Sequence, residues 1–194
     1  MQHAATPFRP SARSPLAAVL LGLGLLCTLP AGAASDPAAS PAGSGSAQPA
    51  GENVLPQLGG LNLQTPNGKP FDVNGLKGKP SVVNFWGTWC APCMREMPDL
   101  ATLNKEFGEA VNFVGVAADT PKNVSRFQEK NPDIAFPLLP VGYKVIPLTK
   151  VWGNEAGGMP FTVVLDAQGR IHWRHAGQVN IESLRSVLKS AELQ

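Results

Sequence analysis

The 194-residue sequence has few side chains that could bind a transition metal, since it contains only three cysteines and three histidines. Cys90 and Cys93 are close in sequence, but Cys27 lies in an apolar N-terminal stretch. No histidine lies within about seventy residues of the Cys90–Cys93 pair. A structural zinc site needs four cysteine or histidine ligands. The sequence therefore argues against a zinc site built on this pair.

The sequence also lacks a marked excess of either charge. Lysine and arginine total 16 and aspartate and glutamate total 14, and the two excess cations are Arg9 and Arg13. Residues 34–194 therefore carry fourteen charges of each sign. Binding to nucleic acid or to an anionic membrane surface depends on an excess of positive charge. We therefore expect no nucleic-acid partner.

The apolar run Leu16–Leu29 is shorter than an ordinary transmembrane helix, which needs about twenty residues. Two arginines precede this run, and the small residues Pro-Ala-Gly-Ala-Ala follow it. A basic flank, a short apolar core and an A-x-A site are the parts of a secretory signal. We therefore predict a signal peptide over residues 1–33, cleaved after Ala33. The alternative is an uncleaved segment that anchors the protein to the inner membrane.

Residues 34–53 are rich in small residues, because 16 of the 20 are alanine, glycine, serine or proline. Such a segment buries too little apolar surface to offset the entropy lost on ordering. We therefore predict a flexible linker here and a folded domain over residues 54–194. Leucines at 58–63, an Asn67-Gly68 turn and apolar residues at 71–73 predict a β-hairpin at the start of that domain.

The stretch at 81–100, SVVNFWGTWCAPCMREMPDL, is the most informative part of the sequence. It opens with β-branched and aromatic residues, which predict a buried strand. Pro92 stands where proline is favoured in the first turn of a helix, and good helix formers follow it up to Gly108. The sequence therefore predicts that Cys90 and Cys93 lie at a strand-to-helix junction.

This placement has chemical consequences for the two cysteines. The first amides of a helix lack internal partners and carry the positive end of its dipole, so they favour a thiolate. Cys90 is therefore the candidate nucleophile, and Cys93 is the candidate resolving thiol that attacks the mixed disulfide. An inert structural disulfide is an alternative, although so short a loop would restrict the unfolded chain little.

Residues 111–191 alternate strand and helix patterns. Residues 111–117 are apolar as in a strand covered on both faces, and Asp119-Thr120-Pro121 predicts the start of a helix that ends near Lys130. Alternating strands and helices imply parallel pairing with right-handed crossovers. The remaining predictions are an extended or looped segment at 131–140, a short helix near 148–152, an antiparallel strand pair at 161–165 and 171–175 with a turn at 166–169, and a helix over 181–191 capped by Asn180.

Trp89-Cys90-Ala91-Pro92-Cys93 resembles the thioredoxin active-site motif, and the longer stretch from Trp89 to Pro98 resembles exported TlpA/ResA-type thiol-disulfide oxidoreductases. The resemblance covers about residues 55–188. It implies an α/β, thioredoxin-like fold with a central mixed β-sheet flanked by helices, here with the N-terminal β-hairpin as an extension. It also implies a protein disulfide oxidoreductase that uses the Cys90–Cys93 redox-active disulfide and needs no cofactor.

The resemblance also suggests how protons would move. Glu96 would lie near the cysteine pair and could assist proton transfer during exchange, whereas the alternative is an ordinary solvated helix residue. Cytosolic thioredoxins carry a buried aspartate at the position that matches Asn84, and an asparagine cannot titrate. Any assistance to proton transfer would therefore come from Glu96 or from water.

Further residues would contact the substrate. Pro160 resembles the cis proline that faces the cysteine pair in thioredoxin-like proteins, and Met159 would offer its backbone to the substrate. Trp89 and Pro92 belong to the motif itself and would contact the substrate as well. Trp86 could line the same groove, whereas Trp152 and Trp173 are predicted to be core residues.

The function implied by the resemblance is the reduction of specific protein disulfides in the periplasm, as in cytochrome c maturation or copper-site assembly. Electrons would come from a membrane thiol donor of the DsbD/CcdA type, and the protein is expected to be a monomer. The alternative is a copper-binding chaperone on the same fold, although such proteins usually have a C-x-x-x-C spacing and a distal histidine. His172 and His175 have opposite strand parity, so they should not share a metal. A peroxidase is disfavoured because Gly87 stands where that reaction needs threonine.

Overall fold

The computed structural model describes residues 51–191. The predicted signal peptide at 1–33, its cleavage after Ala33 and most of the predicted linker at 34–53 lie outside the described residues. None of the helices within the described range has the length and apolarity of a membrane-spanning segment.

A mixed five-stranded sheet forms the centre of the described domain, with helices packed on both of its faces. The strands are β1 (Ser81–Trp86), β2 (Asn112–Ala117), β3 (Leu138–Pro140), β4 (Phe161–Leu165) and β5 (Ile171–Ala176). The helices are α1 (Leu55–Gly59), α2 (Ala91–Phe107), α3 (Pro121–Lys130), α4 (Ile146–Val151) and α5 (Ile181–Ala191), with 3₁₀ turns at Val73–Leu76 and Gly142–Val145.

The strand order β3-β2-β1-β4-β5 determines which chain ends meet. β1 and β2 run parallel with Trp86 opposite Ala117, so their carboxyl ends lie side by side. β4 runs antiparallel to β1, with Phe161 opposite Phe85, so the start of β4 lies at the same edge. The segment after β1, the segment after β2 and the segment before β4 therefore converge at one edge of the sheet.

Side-chain alternation along β1 separates two apolar clusters. Val82 and Trp86 pack on the face covered by α2, α3 and α5, whereas Val83 and Phe85 pack on the opposite face with α1. All six residues of β1 are buried, as expected for a central strand covered on both faces. Trp152 and Trp173 are also buried, so their predicted core positions are confirmed.

The helix ends follow local sequence signals. Thr120 caps α3 by accepting the N–H of Asn123 at 3.3 Å, and Asn180 caps α5 by accepting the N–H of Ser183 at 3.0 Å. Gly108 follows α2, and a Cβ at this position would lie 2.4 Å from the carbonyl oxygen of Asn104. The predicted bounds of these three helices are therefore close to the observed ones.

The prediction of two strands in the N-terminal β-hairpin is wrong. Residues 55–59 form α1, which has a proline in its first turn and buries two leucines three residues apart. Residues 73–76 form a 3₁₀ turn. Only one antiparallel bridge, between Gln64 and Pro70, spans the predicted turn. The backbone N–H groups of Thr65 and Phe71 donate to the carbonyls of Lys69 and Leu63 on either side of this bridge, and Asn62, with a φ of 52°, interrupts the extended backbone before it.

Two smaller differences concern the region after α3. Part of the segment predicted as extended or looped, 131–140, forms β3, a three-residue strand that pairs with β2. Its prolines concealed the strand, because proline is ordinarily depleted in strands. The short helix α4 begins two residues earlier than predicted.

Candidate active site

The two cysteines of the C-x-x-C pair lie between β1 and α2, as predicted. They form a disulfide with their Cα atoms 5.3 Å apart. Cys90 is the N-cap of α2, and its Sγ accepts the N–H of Cys93 at 3.3 Å. The disulfide therefore lies at the positive end of a 17-residue helix, where negative charge on a sulfur is stabilised after reduction.

The two sulfurs differ in their accessibility. Cys90 retains 5% of its surface, whereas Cys93 is fully buried. Sγ of Cys90 lies 3.5 Å from the carbonyl oxygen of Met159. The bond between Met159 and Pro160 is cis, as predicted, and Pro160 is buried at the start of β4. The sheet thus brings together four of the predicted site residues from segments about seventy residues apart.

Glu96 is fully buried one turn after Cys93 in α2. Its carboxylate accepts the side-chain N–H of Asn84 at 2.8 Å and the backbone N–H of Val179 at 3.0 Å. Burial raises the pKa of Glu96 from 4.5 to about 7, although the hydrogen bonds from Val179 and Asn84 favour the charged form. The alternative of a solvated helix residue is therefore wrong, and Glu96 can gain or lose a proton near neutral pH.

Asn84 connects three elements behind the disulfide. It is 1% exposed, and its amide nitrogen donates to Glu96 in α2 and to the hydroxyl of Thr162 in β4 at 3.1 Å. These bonds hold the Glu96 side chain against the central strand. Asn84 itself does not titrate, so Glu96 is the titratable member of this hydrogen-bonded group.

The predicted substrate-contacting residues differ in exposure. Trp89 is 54% exposed, and its indole N–H donates to the carbonyl of Ala118 at 3.0 Å. Pro92 is half-buried in the first turn of α2. Trp86 is fully buried and packs on Phe127 with ring centroids 4.8 Å apart, so the expectation that it lines a substrate groove is wrong. Its parity in β1 places it in the core.

Sequence reasoning missed the role of Asp119 at the end of β2. Its carboxylate accepts the backbone N–H of Thr88 at 2.9 Å, the hydroxyl of Thr88, the backbone N–H of Thr120 and the side-chain N–H of Asn123. Burial acts to raise the pKa of Asp119, but these hydrogen bonds outweigh it and hold the pKa below its ordinary value. The parallel pairing of β1 and β2 was the available signal, because it brings the two following segments together.

The two strand histidines lie away from the cysteines in sequence and make other contacts. The ring of His175 stacks on Trp173 with centroids 5.7 Å apart, and its Nε2 lies 3.2 Å from the carbonyl of Gln178. His172 is half-buried. Across residues 51–191 there is no group of three or more Cys, His, Asp or Glu side chains arranged to hold a metal ion.

Comparisons with known proteins agree on the family of this chain. The Redoxin family matches residues 37–189. A thiol-disulfide oxidoreductase ResA from Bacillus cereus is 32% identical over 124 residues, which cover 63% of this chain and 69% of the relative. A thioredoxin-like protein YneN from Bacillus subtilis is 32% identical over 133 residues, which cover 66% of this chain and 74% of the relative.

Solved structures show the same fold. A thioredoxin-family thiol:disulfide interchange protein from Chlorobium tepidum is 30% identical with a TM-score of 0.58, covering 66% of this chain and 90% of that one. A thioredoxin-related protein from Neisseria meningitidis is 32% identical with a TM-score of 0.58, covering 68% and 99%. A secreted Mycobacterium tuberculosis disulfide oxidoreductase, described as homologous to Escherichia coli DsbE, is 27% identical with a TM-score of 0.54, covering 67% and 96%.

The family match over residues 37–189 spans the sheet, the C-x-x-C helix and the cis-proline strand, and the names of the relatives agree with the resemblance of the motif around Trp89. The chain belongs to the redoxin family, and it is a thiol-disulfide oxidoreductase of the TlpA/ResA type with a thioredoxin-like fold.

Proposed function

We propose that this oxidoreductase is an exported enzyme that reduces disulfides in specific protein substrates. The observation that carries the proposal is the asymmetry of the disulfide, since Cys90 reaches the surface and Cys93 is fully buried. A buried thiol cannot meet a protein substrate directly, but it can attack a neighbouring sulfur. The asymmetry supports a two-step exchange in which the two cysteines have different roles.

The exchange begins with the reduced enzyme. The thiolate of Cys90 attacks one sulfur of the substrate disulfide, forms a mixed disulfide and releases the first substrate thiolate, which takes up a proton. The thiolate of Cys93 then attacks Sγ of Cys90, so the Cys90–Cys93 disulfide forms and the second substrate thiol leaves. Two electrons pass from the enzyme to the substrate in one cycle.

Glu96 supports the second step in this proposal. The thiol of Cys93 must lose its proton before it can attack, and it is sealed from solvent. Glu96 follows one helical turn later and has a pKa of about 7, so it can accept and return a proton at neutral pH. The hydrogen bonds from Asn84 and Val179 hold this carboxyl in place.

Met159 and Pro160 form the wall next to the reactive sulfur. The carbonyl of Met159 lies 3.5 Å from Sγ of Cys90, so a substrate segment could pair with this backbone while its disulfide approaches Cys90. Trp89 and Pro92 add apolar surface at the same edge. We assign these four residues to substrate binding.

The cellular part of the proposal follows from the N-terminal sequence and from the relatives. Residues 1–33 would direct export to the periplasm, either as a cleaved signal or as an inner-membrane anchor, and residues 34–53 would be a flexible linker. One similar solved structure is that of a secreted disulfide oxidoreductase. The substrates would be proteins of cytochrome c maturation or copper-site assembly, and the enzyme would act as a monomer. A membrane thiol donor of the DsbD/CcdA type would regenerate the dithiol.

The reduction potential of the Cys90–Cys93 pair tests the direction of the reaction. The purified protein is equilibrated with dithiothreitol or glutathione buffers, and the fraction of disulfide is measured after acid quenching and alkylation. We expect a value near that of thioredoxin, about −270 mV. A value near that of DsbA, about −120 mV, would show that the enzyme donates disulfides instead.

A further inference from the structure

We propose that Trp89 and Tyr143 together form a fixed aromatic surface, here called the aromatic platform, that selects substrates with apolar side chains close to the reacting cysteine. This inference rests on the proposed function, because it concerns how the same enzyme chooses its protein substrate. It adds Tyr143, which has no part in the chemistry of the disulfide, and it names the chemical class of the recognised segment.

The two side chains of the aromatic platform are unusually exposed for large apolar residues. Three large apolar side chains are prominently exposed within residues 51–191, namely Trp89 at 54%, Tyr143 at 68% and Val151 at 72%. Two of them are neighbours, with ring centroids 6.0 Å apart and planes inclined by 34°. Single exposed apolar residues are common, but adjacent exposed aromatic rings beside a reactive group indicate a binding surface.

The indole ring of Trp89 and the backbone next to Tyr143 are hydrogen-bonded to the segment that follows β2. The indole N–H of Trp89 donates to the carbonyl of Ala118, and the backbone N–H of Gly142 donates to the carbonyl of Asp119 at 3.1 Å. The indole ring of Trp89 and the residue before Tyr143 are thereby tied to two consecutive residues of the chain. A surface that is already fixed loses little conformational entropy on binding, so its apolar area is used efficiently.

The position of the platform determines what must contact it. A substrate disulfide has to reach Sγ of Cys90, which directly follows Trp89 in the chain. Consecutive Cα atoms are about 3.8 Å apart, so the substrate residues around the reacting cysteine come close to the platform. In an extended chain, side chains at alternate positions share a face and are separated by about 6.6 Å. A side chain two residues from the reacting cysteine therefore lies on the same face of the substrate chain as that cysteine.

The chemistry of the platform favours apolar partners. Indole and phenol rings offer large apolar faces and no formal charge, so they gain free energy when an aliphatic or aromatic side chain covers them. An aspartate at the same place would lose water without gaining a charged partner from either ring. The occupant is therefore an extended substrate segment with an apolar side chain two residues from its reacting cysteine.

The test uses peptide disulfides and the full-length protein. Three heptapeptides, Ser-Xaa-Ser-Cys-Ser-Xaa-Ser with leucine, serine or aspartate at Xaa, are prepared as symmetric disulfides. The pre-reduced enzyme is mixed with each peptide, the reaction is quenched with acid, and the rate constant is measured by mass spectrometry. We expect the leucine peptide to react about 2- to 10-fold faster than the serine peptide, the size of effect that an aromatic contact produces.

Tyr143→Ser should abolish most of the preference for leucine over serine, and Val151→Ser serves as the matched control. Val151 is equally exposed but lies beside Gln57 and Ile171 rather than the platform, so its replacement should leave the preference unchanged. Equal rates for the three peptides, or a preference that survives Tyr143→Ser, would overturn this inference alone. Failure of every peptide to be reduced would instead overturn the proposed function.

A second copy of the chain is the competing occupant of the platform. Sedimentation velocity of the oxidised protein over a concentration series separates the two. We expect a monomer at every concentration, because a dimer formed through Trp89 would also cover Cys90. A dimer that Tyr143→Ser dissociates would assign the platform to self-association and overturn the substrate assignment.

Discussion

The replacement Glu96→Gln should alter how the stability of the oxidised protein depends on pH. Burial raises the pKa of this carboxyl from 4.5 to about 7. Between these two pH values the folded protein holds a proton that the unfolded chain has released. The free energy of unfolding must therefore fall as the pH rises through this window. The displacement of the pKa corresponds to a loss of about 3 kcal/mol in the free energy of unfolding. The disulfide cysteines do not titrate, so they contribute nothing to this pH dependence.

Glutamine has the same shape as glutamate but stays neutral, so it removes this loss. It also removes an acceptor, because the two carboxylate oxygens serve Asn84 and Val179 and an amide has only one oxygen. A buried N–H left without a partner costs roughly 1–3 kcal/mol. We therefore expect Glu96→Gln to be less stable than wild type by about 1–3 kcal/mol at pH 4.5, and to be between equal in stability and about 2 kcal/mol more stable at pH 8.

Urea denaturation of the oxidised proteins between pH 4.5 and 8.5 measures this effect. The quantity of interest is the stability of wild type minus that of the variant at each pH, since the titrations of all other groups cancel in the difference. Glu109→Gln is the control, because Glu109 is exposed and lies outside the active site. A difference that stays constant across the pH range would refute the raised pKa and the role given to this carboxyl in proton transfer.

Three further predictions concern other parts of the structure. Asp119→Asn should lower the free energy of unfolding at pH 7 by roughly 1–3 kcal/mol, because the carboxylate accepts four hydrogen bonds. This cost should shrink in acid, where the wild-type carboxyl is protonated, and urea denaturation at pH 7 and in acid measures the difference. Gly115→Ala should destabilise the folded protein by roughly 1–3 kcal/mol, because the added Cβ would lie 2.7 Å from the side chain of Leu138. In Gly75→Ala the added Cβ meets no atom within 4 Å, so this control should change the stability far less. Cys93→Ser should accumulate mixed disulfides with substrate, visible as adducts in mass spectra, and Cys90→Ser should abolish exchange; normal turnover by Cys93→Ser would rule out the two-thiol mechanism.

The sheet and long helices could be predicted because their signals are local. β1 is a short run of β-branched and aromatic residues, and the helix that follows has a proline in its first turn and a glycine directly after its last residue. The prediction of the N-terminal extension failed because its strand pairing is not determined by local signals. Whether Gln64 and Pro70 begin a ladder depends on which N–H groups face each other across the turn, and apolar spacing alone does not report that.

The active-site residues likewise fall into those that local sequence signals predict and those that they do not. Cys90 and Cys93 lie three positions apart along one strand-to-helix junction, so their proximity could be predicted from the sequence. The contact between Cys90 and Met159 joins residues 69 positions apart, and only the family resemblance pointed to it. Asp119 and Tyr143 were missed because nothing in their own neighbourhood distinguishes them from a helix-start aspartate and a loop tyrosine.

The amino-acid sequence by itself therefore determined the redox chemistry, through two cysteines at the start of a helix, and the class of fold that presents them. Only the tertiary structure decided which sulfur a substrate can reach, that Glu96 holds its proton near neutral pH, and that Trp89 acquires an aromatic neighbour. Accessibility, desolvation and hydrogen bonding depend on what packs against a residue. At this site the packing partners come from segments 12 to 83 residues away, so no local pattern could supply them.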